Sequence, residues 1–207
     1  MGKHLVLLGD SIFDNDSYVD PDQAVIDQLR RNLTPHDQAT LLARDGATTD
    51  WIPSQLEQIP ESATHLFLSV GGNDALQVAP DLMRQECSTV EEALAHAHQT
   101  ISEFHGRYLA LIARLLQWNL PLSVLTIYDG VPNLDNARRA GLCLFNDVIT
   151  RTACEFRLPT IDIRVICNEP HHYSLVSPIE PSESGGQAIV EAILQTTIDT
   201  GKPEPSA

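Results

Sequence analysis

Short apolar runs alternate along this chain with segments of helical periodicity, and this alternation strongly constrains the fold. The first run, Leu5–Leu8, ends at Gly9, and further runs cover residues 39–43, 65–70, 121–127 and 160–163. A short unbroken apolar run is typical of a strand that helices cover on both faces of a parallel sheet. The sequence therefore predicts a three-layer α/β/α sandwich around a five-stranded, mostly parallel sheet.

The segments between these runs predict helices at 23–33, 48–59, 134–156 and 186–198. A longer helix is predicted to end near Leu115, because apolar residues recur at helical intervals up to that position. Its start is marked by Ser88-Thr89-Val90-Glu91, which has the spacing of a capping box.

The length of 207 residues and the 43% hydrophobic content are sufficient for one domain, predicted at 1–199, with a flexible tail at 200–207. The formal charge of −15 argues against nucleic acid or an anionic membrane as a partner, because both select clustered Lys and Arg. No apolar stretch reaches the roughly 18 residues of a membrane span, and few residues precede the first strand. We therefore expect a cytoplasmic protein with no membrane or nucleic-acid partner.

The four cysteines, Cys87, Cys143, Cys154 and Cys167, form no C-x-x-C pair and occupy apolar positions. Isolated thiols of this kind are typical of core residues in a protein from a reducing compartment. We expect all four to be buried, with no disulfide and no metal cluster.

Three of the predicted strands end in loops with unusual residues: Gly9-Asp10-Ser11, Asp45-Gly46-Ala47-Thr48 and Gly71-Gly72-Asn73-Asp74. Taken singly, Ser11 fits a helix cap, Gly46 a turn, and Asn73 a cap or turn. The carboxyl ends of parallel strands share one sheet edge, where open α/β sheets bind their ligands. Together the loops fit a serine nucleophile whose oxyanion hole combines the backbone N–H groups of Ser11 and Gly46 with the Asn73 amide.

These three loops resemble the first three sequence blocks of the SGNH or GDSL hydrolases, and the resemblance extends over nearly the whole chain. Gly9-Asp10-Ser11 matches the block with the nucleophile, Gly46 matches the second, and Gly71-Gly72-Asn73-Asp74 matches the third in full. The resemblance implies a flavodoxin-like sandwich, no metal, no organic cofactor, and hydrolysis of an ester, thioester or acetyl group.

The fourth block departs from the family pattern, in which D-x-x-H-P precedes the last helix. Alignment on Pro181 puts Glu180 at the histidine position and Ser177 at the aspartate position. The chain is similar here to a bacterial sub-group with I-E-P-S at this point. Both triad residues other than the serine are thus replaced.

Three interpretations of this change remain open. In the first, Glu180 is the general base for Ser11. In the second, a histidine from elsewhere reaches Ser11, and only His171 and His172 lie in a loop at the functional edge of the sheet. In the third, the chain is a pseudoenzyme that binds a small molecule or a carbohydrate without turnover. A phosphate or nucleotide site at the helix starts is a more distant alternative, because Arg44 is the one obvious cation near the loops.

The sequence is best interpreted as a hydrolase of a small-molecule ester or acetylated substrate, with Ser11, Gly46, Asn73 and Glu180 in its catalytic site. The acyl group, the alcohol and the oligomeric state are not determined by the sequence.

Overall fold

The computed structural model describes residues 2–199, with the side chain of Asp199 excepted, so the predicted tail at 200–207 lies outside the described residues. Its five strands are β1 His4–Gly9, β2 Gln38–Leu41, β3 His65–Ser69, β4 Leu122–Leu125 and β5 Thr160–Ile161. Its α-helices are α1 Val25–Asn32, α2 Ile52–Leu56, α3 Gly72–Arg84, α4 Val90–Leu115, α5 Asn136–Phe156, α6 Ile163–Ile166 and α7 Glu183–Asp199.

The five strands form one sheet in the order β2-β1-β3-β4-β5, and every pair is parallel. This is the flavodoxin-like order of a doubly wound fold. The predicted fold class is therefore confirmed. The interior strand β1 is buried along its whole length, as expected for a strand with helices on both faces.

Alternate residues of β1 belong to two separate hydrophobic cores. Val6 and Leu8 pack with the helices α2, α4 and α5 on one face of the sheet. Leu5 and Leu7 pack with α1 and α7 on the other face. Because successive side chains of a strand point to opposite faces of the sheet, β1 contributes to the cores on both sides.

The helix α3 was not predicted, because its sequence begins at Gly71-Gly72 and contains Pro80, and glycine and proline both oppose helix formation. Its position matters for the site, because Asn73 lies in its first turn and not in an open loop. The start of α4 also differs by one residue from the prediction. Thr89 is the N-cap and accepts from the backbone N–H of Glu92, whose side chain accepts from the Ser88 N–H.

The prediction that all four cysteines are buried is wrong for three of them. Cys167 is buried, Cys87 is partly exposed, and Cys143 and Cys154 are exposed on α5. The amphipathic α5 places these two thiols on its outer face, which the apolar character of cysteine did not reveal. All four are free thiols.

Candidate active site

The turn that carries Ser11 is built on Gly9, the last residue of β1. Gly9 has a φ of +132°, and a Cβ atom there would lie 1.8 Å from the carbonyl oxygen of Ser69 in β3. Only glycine fits such a conformation and so close an approach of two strands. The side-chain amide of Gln55 accepts from the Gly9 N–H and donates to the Gly9 carbonyl, both at 2.8 Å. The backbone leading to Ser11 is therefore tightly fixed.

Asp10 lies beneath this turn and is buried. Its carboxylate accepts from the Ile12 N–H at 3.2 Å and from the Ser69 hydroxyl at 3.3 Å. Burial raises the pKa of Asp10 to about 7, while these two hydrogen bonds oppose the rise. Through the hydrogen bond from the Ile12 N–H, Asp10 helps to hold the turn that carries Ser11.

The hydroxyl of Ser11 donates a hydrogen bond to Oε1 of Glu180 at 3.3 Å. Both side chains are buried, with 7% of Ser11 and 3% of Glu180 exposed. The second carboxylate oxygen of Glu180, Oε2, has no hydrogen-bond partner among residues 2–199. A serine hydroxyl and a carboxylate oxygen with spare acceptor capacity thus face each other in a site from which solvent is largely excluded.

Burial raises the pKa of the Glu180 carboxyl above its ordinary value. The hydroxyls of Ser177 and Ser11 act in the opposite direction, because they stabilise the charged form, and the carboxylate of Asp45 adds a further small rise. Ser177 occupies the position where the family pattern has aspartate, and it also accepts the Glu180 backbone N–H at its carbonyl oxygen, 3.2 Å away. The environment therefore makes Glu180 more basic than a solvated glutamate.

The segment around Glu180 is held by three hydrogen bonds to successive carbonyl groups. Tyr128 donates to the carbonyl of Ile179, the N–H of Ser174 donates to that of Glu180, and the buried Asn15 amide donates to that of Pro181. These contacts come from residues far apart in the sequence. They fix the position of the carboxylate relative to Ser11.

Gly46 and Asn73 are brought together by a hydrogen bond between their segments. The Asn73 side-chain amide, in the first turn of α3, donates to the carbonyl of Ala47 at 3.0 Å and has a second N–H to offer. Gly46 has a φ of +76°, which favours glycine. Among residues 2–199, neither the Gly46 N–H nor the Ser11 N–H has a hydrogen-bond acceptor. Ser11, Gly46 and Asn73 thus each keep an N–H without an acceptor in that range.

The same two segments are joined a second time by Asp74 and Thr49, a link that the sequence did not reveal. The buried Asp74 carboxylate accepts from the Thr49 hydroxyl at 2.6 Å and from its N–H at 3.0 Å. Arg107 of α4 lies 3.6 Å from Asp74 Oδ1. The aspartate of the third block therefore anchors the Gly46 loop to the start of α3.

His171 and His172 are in a short 3₁₀ turn, Pro170–His172, and their rings contact each other with centroids 4.3 Å apart. Nδ1 of His172 accepts from the Glu169 N–H at 3.2 Å. Neither ring is hydrogen-bonded to Ser11 within residues 2–199, where Glu180 is the acceptor for the serine hydroxyl. The geometry thus favours Glu180 over either histidine as the residue facing Ser11.

A cavity opens beside Ser11 between α3 and α5. Its polar end is formed by Asp10, Ser11 and Asn73, and most of the remaining wall is apolar. The empty space is about 990 Å³, including the part open to solvent.

No helix in the range 2–199 is both long enough and apolar enough to cross a lipid bilayer. The same range holds no group of three or more His, Cys, Asp or Glu side chains placed to bind a metal ion.

The five-stranded parallel sheet with helices on both faces is an α/β sandwich, and Ser11 follows its first strand. The model of the GDSL-like lipase/acylhydrolase family matches residues 7–188, and the chain belongs to this family. Membership places the protein among hydrolases that act on esters. A search of curated protein sequences finds no significant match.

Solved structures with the same fold include three esterases or lipases at low sequence identity. A lipolytic GDSL protein from Veillonella parvula has 14% identity and a TM-score of 0.70, and the match covers 95% of this chain and 99% of that one. The acetyl xylan esterase AlAXEase has 14% identity, a TM-score of 0.68, and coverage of 93% and 98%. An extracellular lipase from Streptomyces rimosus has 15% identity, a TM-score of 0.67, and coverage of 94% and 99%.

Proposed function

We propose that this protein is a serine ester hydrolase in which Ser11 is the nucleophile and Glu180 is the general base. The observation that carries the proposal is the buried hydrogen bond from the Ser11 hydroxyl to Glu180 Oε1 at 3.3 Å. A general base must lie within hydrogen-bond reach of the proton that it removes, and contacts in a free enzyme are commonly longer than in its complexes.

In the first half-reaction, Glu180 Oε1 takes the hydroxyl proton while Ser11 Oγ forms a bond to the carbonyl carbon of the ester. The carbonyl oxygen becomes an oxyanion, which accepts hydrogen bonds from the N–H groups of Ser11 and Gly46 and from the Asn73 amide. The tetrahedral intermediate then expels the alcohol oxygen, and protonated Glu180 returns the proton to that oxygen. The products are the free alcohol and an ester between the acyl group and Ser11.

In the second half-reaction, water replaces the alcohol. Glu180 removes a proton from water, the resulting hydroxide oxygen bonds to the acyl carbon, and the same donors hold the oxyanion. Collapse of this intermediate releases the carboxylic acid, and Ser11 Oγ recovers its proton from Glu180. No metal or organic cofactor takes part in these steps.

Replacement of histidine by glutamate lowers the basicity available for the first step. The ordinary pKa values differ by about two units, equivalent to about 3 kcal/mol of proton affinity. Burial offsets part of this difference, because it raises the pKa of Glu180. We therefore expect slower hydrolysis than a Ser–His enzyme of the same fold would give.

Hydrolysis of p-nitrophenyl acetate by the wild type and by the Ser11→Ala, Glu180→Gln and Glu183→Gln variants tests the proposal. Glu183 is exposed, lies three residues from Glu180 and supplies the matched control. We expect Ser11→Ala and Glu180→Gln each to lose about 100-fold or more in kcat/KM, and Glu183→Gln to retain it. Equal rates in all four proteins would favour the alternative, a catalytically impaired protein that binds a small molecule or carbohydrate.

A further inference from the structure

The cavity beside Ser11 is long and apolar away from the serine. The helix α3 contributes Val78, Leu82 and Met83 to its wall, and α5 contributes Leu142 and Phe145. The wall follows α3 from residue 73 to residue 83, which corresponds to about 15 Å at about 1.5 Å per residue. Such a space is much deeper than an acetyl group requires.

An apolar wall of this kind selects an alkyl chain over a polar group. Each methylene group transferred from water into an apolar cavity improves binding by about fourfold. A sugar hydroxyl in the same space would lose most of its hydrogen bonds to water without replacement, because α3 presents hydrocarbon there and the one charged side chain that α5 contributes, Arg138, is paired with Asp135. The deep part of the cavity thus fits a hydrocarbon chain.

The position of Glu180 indicates which half of the ester carries this chain. The general base returns its proton to the leaving alcohol, so the alcohol lies on the Glu180 side of Ser11. Ser11 and Asn73 line the cavity, whereas Glu180 and Gly46 do not, and Ile179 is the one residue of the loop before α7 that lines it. The cavity therefore extends from the acyl side of the scissile bond.

The Glu180 side of Ser11 has a different chemical character. The negative charge of the Asp45 carboxylate raises the pKa of Glu180, and the same carboxylate accepts a hydrogen bond from the Tyr18 hydroxyl at 2.6 Å. The backbone N–H of Asp45 donates to the Asp14 carboxylate at 2.9 Å. The side chains of Asp45, Tyr18 and Asp14 are polar and two of them are acidic, so they suit a neutral or cationic alcohol better than an alkyl chain.

We infer that the α3–α5 cavity binds the acyl chain of the substrate, and that this chain is an unbranched acyl group from hexanoyl to decanoyl in length. The inference rests on the proposed function for the identity of the bond that is cleaved. The acid that the reaction releases is then a fatty acid, from hexanoic to decanoic acid, and not acetic acid.

Gly141 offers a substitution that fills the cavity with little strain. It lies in α5 and lines the cavity, and a Cβ atom there would meet Met83 Cε at 3.6 Å, an ordinary contact. The matched control is Gly106 in α4, which is exposed and where a Cβ would meet nothing within 4 Å. Leucine has a higher helix propensity than glycine, so neither Gly141→Leu nor Gly106→Leu should weaken its helix.

The kinetic test compares kcat/KM for p-nitrophenyl octanoate and p-nitrophenyl acetate in the wild type and both variants. We expect the wild type to prefer octanoate by about tenfold or more, Gly141→Leu to lose that preference, and Gly106→Leu to keep it together with both wild-type rates. The far-ultraviolet circular dichroism spectrum of each variant reports whether it is folded. A wild-type preference for acetate, or the same ratio in Gly141→Leu as in Gly106→Leu, would overturn the inference.

A binding test separates the cavity from the catalytic proposal. The hydrolysis-resistant amides octanamide and acetamide are titrated calorimetrically into the wild type, Gly141→Leu and Gly106→Leu. We expect octanamide to bind at least about tenfold more tightly than acetamide, and Gly141→Leu alone to remove the difference. If this pattern occurs in a protein that hydrolyses neither ester, the proposed function fails while the chain-binding cavity stands. Hydrolysis of acetate without preferential octanamide binding overturns the cavity and leaves the proposed function intact.

Discussion

The hydroxyl of Ser11 and the carboxylate of Glu180 form a buried hydrogen bond between the first strand and the loop before the last helix. A Ser–His–Asp triad uses one residue to remove the proton and a second to orient the first. Here the hydrogen bonds from Tyr128, Ser174 and Asn15 to the backbone around Glu180 hold the loop that carries the carboxylate. The hydrogen-bonded framework of the fold thus performs the orienting role in the proposed mechanism.

We predict that His171→Ala and His172→Ala each leave ester hydrolysis within about twofold of the wild type. The two rings contact each other, and His172 also accepts from the Glu169 N–H, so their loss affects the turn more than Ser11. The measurement is kcat/KM for p-nitrophenyl acetate on each single variant. A loss of a hundredfold in either variant would instead identify a histidine as the base.

Removal of the Asn73 amide is expected to lower kcat by about 10²- to 10³-fold, because one oxyanion donor of three is lost. The Asn73 amide also donates to the Ala47 carbonyl and so helps to hold the Gly46 loop. Thr49→Val serves as the control, because it removes the hydroxyl that donates to Asp74 and holds the same loop. Steady-state kinetics of Asn73→Ala and Thr49→Val distinguish the two contributions. If Thr49→Val is as slow as Asn73→Ala, the amide acts by positioning the loop and not as a donor.

The stability of the wild type is expected to fall as pH rises through the pKa of Asp10. Folding raises this pKa from 3.8 to about 7, because the buried carboxyl is more stable in its protonated form. The stability that comes from the protonated Asp10 is therefore complete below about pH 4 and is lost as the pH rises to about 7. Asp10→Asn cannot ionise and should be more stable than the wild type at pH 8, by about 2 to 4 kcal/mol. Urea unfolding of both proteins at pH 5 and pH 8 measures the change. An equal difference at both pH values would contradict the raised pKa.

Gly9→Ala is expected to destabilise the protein by about 3 kcal/mol or more, because its Cβ would collide with the Ser69 carbonyl at a φ of +132°. Gly106→Ala is the matched control, and it should stabilise α4 by about 0.5 to 1 kcal/mol. The free energies of unfolding in urea test both values. A Gly9→Ala protein as stable as the wild type would show that the two strands can separate without cost.

The five strands, their parallel arrangement and the positions of Ser11, Gly46 and Asn73 at one edge were predictable, because apolar runs and the residues that end them are local signals. The helix α3 was not predictable from local signals, since Pro80 and Gly72 oppose it and the tertiary structure stabilises it nonetheless. The cavity was missed with it, because α3 supplies one of its walls. The Asp74–Thr49 link joins residues 25 positions apart, and no sequence pattern indicated that pairing.

The dependence of kcat/KM on pH in the wild type, Glu180→Gln and Asp10→Asn tests the central assignment most directly. Glu180 must be ionised to act as a base, so the wild-type rate should rise with pH through one ionisation above the ordinary glutamate value of about 4.3 and then level off. The account predicts that this ionisation persists in Asp10→Asn and disappears in Glu180→Gln, together with a loss of about 100-fold or more. An unchanged profile and rate in Glu180→Gln would contradict the assignment of Glu180 as the base for Ser11.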